Sequence, residues 1–219
     1  MVKNKTVRTF ITRFRKLTEY QEKFFRKYWQ VYGINLNKEI ILDSFFEHHN
    51  PIVLDIGFGC GDNLVWQAHS YPHFNFVGVE VYLPGIRKVL YTLSGCDIAN
   101  LKLVYNDINQ IIPLISQQSI SRVQIYFPDP WPKRRHHKRR LINEDFIVSL
   151  HSIMLPNSIL HIKTDIMNYA DIISRVFSTS KLYHVATVDP YNFALTMTKY
   201  ENKGLAVNRK IWDLKYVSV

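Results

Sequence analysis

Val53-Leu54-Asp55-Ile56-Gly57-Phe58-Gly59-Cys60-Gly61 runs from an apolar stretch directly into three alternating glycines. A short apolar run closed by a glycine turn reads as a buried strand, Ile52–Ile56, entering a loop whose backbone needs positive φ or a close approach to a ligand. Helical spacing resumes at about Asp62, and the same alternation repeats downstream. Phe74–Val79, Leu101–Tyr105, Arg122–Phe127 and Ile159–Lys163 read as strands, ending at Glu80, Asn106-Asp107, Pro128-Asp129-Pro130 and Thr164-Asp165. Helices are expected over Pro84–Leu93, Glu144–Ile153 and residues 168–178, and two last strands near Tyr183–Val188 and Ile211–Val217. Upstream, Thr18–Tyr32 reads as an aromatic-rich helix. Residues 37–48 have helical spacing with Asn37 as a candidate cap, before Asn50-Pro51 breaks the chain. Strands separated by helices predict an α/β fold of the Rossmann-like kind, a mostly parallel seven-stranded sheet with helices on both faces. Residues 1–36 then form a basic N-terminal arm and helix of the same domain as residues 37–219.

In such sheets ligands bind beyond the carboxyl ends of the strands. Each of the first five strand ends carries glycine or a carboxylate: Gly57, Gly59 and Gly61, then Glu80, Asn106-Asp107, Asp129 and Asp165. The glycine spacing is GxGxG, not the GxGxxG of dinucleotide sites. A dinucleotide also brings a pyrophosphate, which Asp55, Asp107 and Asp129 would repel. S-adenosyl-L-methionine brings a sulfonium and an ammonium with no phosphate, so the anionic strand ends favour it and a class I methyltransferase core. Glu80 is then assigned to the ribose, and Asn106 and Asp107 to the adenine edge. Asp55 has a plainer alternative, that its carboxylate orients the glycine loop by accepting loop amides.

Composition adds an anionic partner. The chain has 219 residues, 47% of them hydrophobic, enough to bury a full core, and a net charge of +10. Residues 1–30 hold nine Lys/Arg against two acids, and Lys133-Arg134-Arg135-His136-His137-Lys138-Arg139-Arg140 holds six more with none. Two concentrated clusters point to a phosphate-rich ligand over solvated faces alone. Cys60 and Cys96 make no metal or redox spacing, which fits a reducing cytoplasm. No apolar run reaches the roughly 18 residues of a membrane span, and the basic N-terminus lacks a signal peptide's apolar core. The adjacent histidines among six cations are expected to face solvent or phosphate, so no metal is expected. A monomer and a homodimer both remain open.

Phe127-Pro128-Asp129-Pro130-Trp131-Pro132-Lys133 is the least ordinary stretch. Its prolines fix φ and remove donors, making a stiff loop at a strand end. Out of context it would be a proline-rich turn with Trp131 in the core. Opposite a sulfonium, a rigid carboxylate beside an aromatic ring suits a planar base. Guanine offers adjacent N–H donors to a carboxylate and a bare N7 lone pair on its other edge. Methylation at N7 needs placement more than a general base, and no nucleophile or His–carboxylate dyad stands out.

LDIGFGCG, the Glu80 strand end, FPDPWPKRRHHKRRL, HIKTD and TKYENKG, in that order, resemble the bacterial single-chain tRNA (guanine-N7)-methyltransferase family from about residue 10 to the C-terminus. The resemblance implies methyl transfer from S-adenosyl-L-methionine to the guanosine at position 46 of the tRNA variable loop. It places Asp55, Glu80 and Asp107 on the cofactor and Asp129 at the catalytic centre. It also puts Lys133, Asp165, Thr198, Lys199, Tyr200 and Glu201 on the substrate. Asp55 stands where many members have Glu, and Tyr200 where Phe is common. Three other readings remain: an adenine methyltransferase, a non-catalytic RNA-binding module, and a nicotinamide oxidoreductase. The single proline between Asp129 and Trp131, the intact strand-end carboxylates and the missing GxGxxG disfavour them in turn.

Overall fold

The computed structural model describes residues 18–36, 40–191, 193–194 and 210–219. Seven strands lie in the order β3-β2-β1-β4-β5-β7-β6. They are β1 (Ile52–Ile56), β2 (Asn75–Glu80), β3 (Leu101–Tyr105), β4 (Ile120–Tyr126), β5 (Met154–Thr164), β6 (Tyr183–Val185) and β7 (Trp212–Ser218). The first five pair in parallel, and β7 runs antiparallel to both β5 and β6. The helices are α1 (Glu19–Tyr32), α2 (Asp62–Ser70), α3 (Leu83–Leu93), α4 (Ile108–Ile111), α5 (Glu144–Ile153) and α6 (Met167–Ser178). Strand order reverses between β1 and β4, which opens a crevice at their carboxyl ends.

The strands are apolar because both faces of the sheet are covered. Leu54, Ile56, Val77, Val123, Ile125, Leu160 and Ile162 pack one face against residues of α5 and α6 such as Phe146, Leu150 and Ile173. Val53, Phe76, Leu101 and Leu103 pack the other against Leu64 of α2 and Ile86, Val89 and Leu90 of α3. Burying this set supplies the main drive for folding.

The α1 helix starts where expected. Thr18 caps it, its hydroxyl accepting from Gln21 N (3.3 Å) while the Gln21 side chain accepts from Thr18 N (3.2 Å). Its aromatic side, including Phe24, Phe25, Tyr28 and Trp29, packs against the α2–α3 side of the core. The helix expected over residues 37–48 is instead a short 3-10 turn, Leu42–Phe45. Ile40 bonds to Leu114 and Ser116 to Ile40, and this bridge takes up the backbone groups a helix would have used. Asn37 lies outside the described residues. β5 begins five residues earlier than its sequence suggests, because its pairing with β4 skips register between Ile120 and Arg122 and admits Pro156 and Asn157.

Candidate active site at the β1–β4 switch point

A cavity of about 480 Å³ occupies the crevice. Asp55, Gly57, Gly59, Gly61, Glu80, Asn106, Asp107 and Asp129 all line it, so four separate strand ends converge as the sequence predicted. Among the described residues, none that lines it is Lys, Arg or His.

The glycine loop is built from left-handed backbone. Gly57, Gly59 and Gly61 have φ of 76°, 61° and 74°. At Gly57 and Gly59 a Cβ would meet nothing, so conformation alone demands glycine there. Gly85, in the first turn of α3, lets that helix lie against the Gly59 carbonyl.

Glu80, not Asp55, holds this loop. One Glu80 oxygen, Oε2, accepts from Gly59 N (2.7 Å), and Oε1 accepts from Val81 N (2.7 Å) and Tyr82 N (2.9 Å). A carboxylate has about four acceptor positions, so one remains, on Oε2. Burial raises the Glu80 pKa, the three amides oppose that rise, and Asp129 adds to it. Asp55 is 3% exposed, and burial, followed by the charge of Glu80, pushes its carboxyl up to about 7. Asp107 caps α4, its Oδ1 accepting from Asn109 N and Nδ2 (both 3.0 Å), and also lines the cavity. The Asn106 side chain accepts from Asp107 N (2.7 Å).

Asp129 stands exposed at the cavity mouth. Its low-dielectric wall raises its pKa, and Arg139 pulls it back. The loop around it is strained as well as stiff. Phe127 (φ 53°) and Trp131 (φ 42°) bracket it in left-handed backbone, costing roughly 1–3 kcal/mol each. Two hydrogen bonds help hold that shape, Phe127 N to Lys163 O (2.8 Å) and Arg140 Nε to Pro130 O (2.7 Å).

The basic run divides into two kinds of residue. Arg134–Arg139 forms a 3-10 helix capped by Lys133; Lys133, Arg134, Arg135 and Lys138 are exposed and His136 and His137 half-buried. Arg139 lies over the Trp131 ring at 3.8 Å, with the His136 edge against the same ring at 5.8 Å. Arg140 is 4% exposed. It donates to Asn168 Oδ1 (3.1 Å) as well as to Pro130 O, and rests over Tyr169 at 4.7 Å. Trp131 is thus neither core nor part of the cavity lining.

Asp165 is half-buried at the end of β5 and does not cap α6, whose N-cap is Ile166 without a side-chain bond. It lies outside the cavity lining, as do Lys133 to Lys138. Thr198, Lys199, Tyr200 and Glu201 lie outside the described residues, as does the arm before Thr18. Sequence reasoning passed over Tyr126, a wall of the cavity, and Arg140, the clamp behind the loop. Position before Phe127 pointed to the first; a charge run hid the second. Among the described residues no group of three His, Cys, Asp or Glu is placed to hold a metal, and no helix is long and apolar enough to cross a membrane.

This strand order and the carboxylate-lined cavity at its switch point define a class I methyltransferase. Solved structures share the fold at low identity. They include a 30S ribosomal A1408 methyltransferase from an uncultured bacterium, with TM-score 0.56 at 12% identity, covering 86% of this chain and 98% of that one. A 16S rRNA (adenine(1408)-N(1))-methyltransferase from Catenulisporales acidiphilia, solved with its cosubstrate SAM, gives 0.52 at 17%, covering 94% and 93%. A family model described as a putative methyltransferase matches residues 49–214. The tRNA (guanine-N(7)-)-methyltransferase of Buchnera aphidicola subsp. Acyrthosiphon pisum (strain 5A) is 37% identical over 217 residues, 96% of this chain and 90% of that protein. The enzyme of the same name from Colwellia psychrerythraea (strain 34H) is 32% identical, over 96% of this chain and 88% of that protein. The chain belongs to the tRNA (guanine-N7)-methyltransferase family.

Proposed function

We propose that this protein transfers a methyl group from S-adenosyl-L-methionine to N7 of a guanine in tRNA, at position 46 in the variable loop, and works in the cytoplasm as a monomer or homodimer. The observation that carries this is the join between two surfaces: Asp129 lines the anionic cavity, and five residues later the chain enters the basic 3-10 helix Arg134–Arg139. A cationic small molecule and a polyanion are served by adjacent pieces of one loop.

The residues present fit the cofactor. Asp55, Glu80, Asp107 and Asp129 give an acidic lining, with no Lys, Arg or His among the described residues, which favours a ligand bearing a sulfonium and an ammonium. When bound, S-adenosyl-L-methionine supplies a methyl group on a positively charged sulfur. Asp55 would meet the cofactor's positive end, and the last acceptor position of Glu80 a ribose hydroxyl. Asp107 would meet the adenine amine, with Asn106 beside it. Gly57, Gly59 and Gly61 let the backbone come close.

On the other side, Asp129 accepts guanine N–H donors and fixes the base with N7 toward the methyl group. Guanine N7 would present its own lone pair to the methyl group that the bound cofactor would supply. No proton leaves N7, so the protein's contribution is orientation and an anionic field that follows charge onto the base. Lys133, Arg134, Arg135, His136, His137 and Lys138 would attract phosphates, and Asp165, Thr198, Lys199, Tyr200 and Glu201 would complete the substrate site with Lys133.

Incubation with labelled S-adenosyl-L-methionine and unmodified tRNA, followed by mapping of the product, tests the proposal. Label at guanine N7 of the variable loop is expected; label on adenine, or none, refutes it. Asp129→Ala is expected to abolish transfer while leaving cofactor affinity within a few-fold, and normal turnover by that variant would remove Asp129 from its role.

A further inference from the structure

Behind the cavity, one level of the sheet carries a row of polar side chains. Parallel register places Asp55 of β1 beside Gln124 of β4, and Gln124 beside His161 of β5. Paired positions stand on the same sheet face, on strands about 4.8 Å apart, so Gln124 lies between a carboxyl group and an imidazole. It is fully buried, and neither its Oε1 nor its Nε2 makes a hydrogen bond among the described residues. A buried amide unpaired at both ends is costly and calls for a partner.

His161 is already committed. Its Nδ1 faces Arg122 Nη2 (2.9 Å) and the Tyr126 hydroxyl (3.0 Å), and its Nε2 lies 2.7 Å from Asp213 Oδ1. Asp55 is 3% exposed, and no hydrogen bond to its carboxyl is found among the described residues. Of these three neighbours, the two with polar atoms to spare are therefore adjacent. Arg122, two residues before Gln124 on the same face, keeps its Nε–H without a partner among the described residues. A guanidinium only donates, so it favours Oε1 on its side of the amide and leaves Nε2 for Asp55.

An amide also suits the chemistry of its neighbour. Nε2–H donates to an ionised carboxylate and Oε1 accepts from a protonated one, so glutamine serves Asp55 in either form. A Lys or Arg at the same place would compete with a cationic ligand for the same charge; an amide orients without competing. We infer that Gln124 is a positioning residue, whose amide donates to Asp55 and turns its other oxygen toward the positive end of S-adenosyl-L-methionine. The inference rests on the cofactor role proposed above for Asp55. Gln124 lies outside the cavity lining, so its effect falls on cofactor affinity and not on the chemical step.

The test compares Gln124→Met, Asp55→Asn and the double variant with the unchanged protein, by calorimetry with S-adenosyl-L-methionine and with 5′-methylthioadenosine, which carries neither sulfonium nor ammonium. Gln124→Met is expected to weaken S-adenosyl-L-methionine about tenfold, with 5′-methylthioadenosine and kcat at saturation within about twofold. Because an unpaired buried amide gives way to an apolar chain of similar length, the ligand-free variant is expected to melt no lower than the unchanged protein. A residue with only a structural task would lose Tm instead. In the Asp55→Asn background, Gln124→Met is expected to change affinity no further. Gln67→Met, which removes the other fully buried glutamine unpaired at both ends, on α2, is expected to leave both affinities within about twofold. If Asp55→Asn weakens S-adenosyl-L-methionine and Gln124→Met does not, positioning fails and the cofactor role of Asp55 stands; if Asp55→Asn also binds normally, that role falls too. Equal losses for the two ligands, or the same loss in Gln67→Met, mark general loosening and overturn the inference.

Discussion

Replacing Arg140 by alanine separates two meanings of a basic run. As one of six cations between Lys133 and Arg140, this residue would lend about one phosphate contact and nothing to stability. In the fold it is 4% exposed, donates to Pro130 O and Asn168 Oδ1, and covers Tyr169. Hydrogen bonds from a charged donor contribute about 1.5–3 kcal/mol each, and Pro130 O would be left without that donor. Allowing for non-additivity, the loss is about 3 kcal/mol. In a domain of this size each kcal/mol moves Tm by roughly 2–4 °C, so Arg140→Ala is expected to melt about 6–12 °C lower. Arg134→Ala, at an exposed position, is expected to stay within about 0.5 kcal/mol of the unchanged protein. The salt dependence of tRNA binding should show the reverse order, the log–log slope falling by about 0.7–0.9 for Arg134→Ala. Arg140→Lys keeps the charge but not the fork, so it should recover little of the lost Tm. The assays are thermal melts without RNA and filter binding across a salt series. If Arg140→Ala melts with the unchanged protein while losing a unit of salt slope, Arg140 is a phosphate contact and the clamp is wrong.

Three further outcomes follow from the cavity. Asp55 has a folded pKa of about 7, above its ordinary value, so the ligand-free protein should lose stability as pH rises from about 4 to about 7 and change little beyond. A cation selects the ionised form, so cofactor affinity should rise through pH 7 with release of up to one proton; calorimetry in two buffers of different ionisation enthalpy counts it, and affinity flat from pH 6 to 8 rejects the coupling. Glu80→Gln puts an amide donor where Gly59, Val81 and Tyr82 offer N–H groups, and should cost at least about tenfold in cofactor affinity with kcat preserved at saturation; unchanged affinity would mean the loop holds itself. Tyr126→Phe removes a hydroxyl that lies 3.0 Å from His161 Nδ1, where Arg122 also donates, so Tm should fall by no more than a few degrees; a collapse of the fold would show that Arg122 alone cannot satisfy His161.

The strands could be read because burial on both faces leaves little choice of residue: β1 and β3 have the bounds that apolar runs alone suggest. The site's location was legible for a related reason. A carboxylate is least costly at the strand ends of such a sheet, so the glycine turn after β1 and the acids at the ends of β2, β3 and β4 mark the crevice. The 3-10 turn at Leu42–Phe45 was not legible. Its residues have helical spacing, and what prevents a helix is the bridge between Ile40 and Ile115, far away in sequence. The two faces of the basic run were hidden likewise. Arg134 and Arg140 look alike until Pro130, Asn168 and Tyr169 are seen to surround only the second.

The carboxylates show where composition stops and geometry begins. Counting charge favours a cationic ligand, because Asp55, Glu80, Asp107 and Asp129 add up whatever each one does. It cannot divide their tasks. Loop-holding is a natural role for Asp55, two residues before the first glycine, yet parallel pairing aligns Ile56 with Val79 and puts Glu80 level with the turn, where its longer side chain reaches Gly59. Asp55 is thereby released from supporting the backbone, and its field is left for a ligand. A buried carboxylate with no amide donating to it among the described residues is costly in the empty protein, and the rise of its pKa to about 7, from burial and then the charge of Glu80, expresses that cost. On the proposed assignment a cation in the cavity would remove the cost, and part of the cofactor's affinity would be built in as the relief of Asp55.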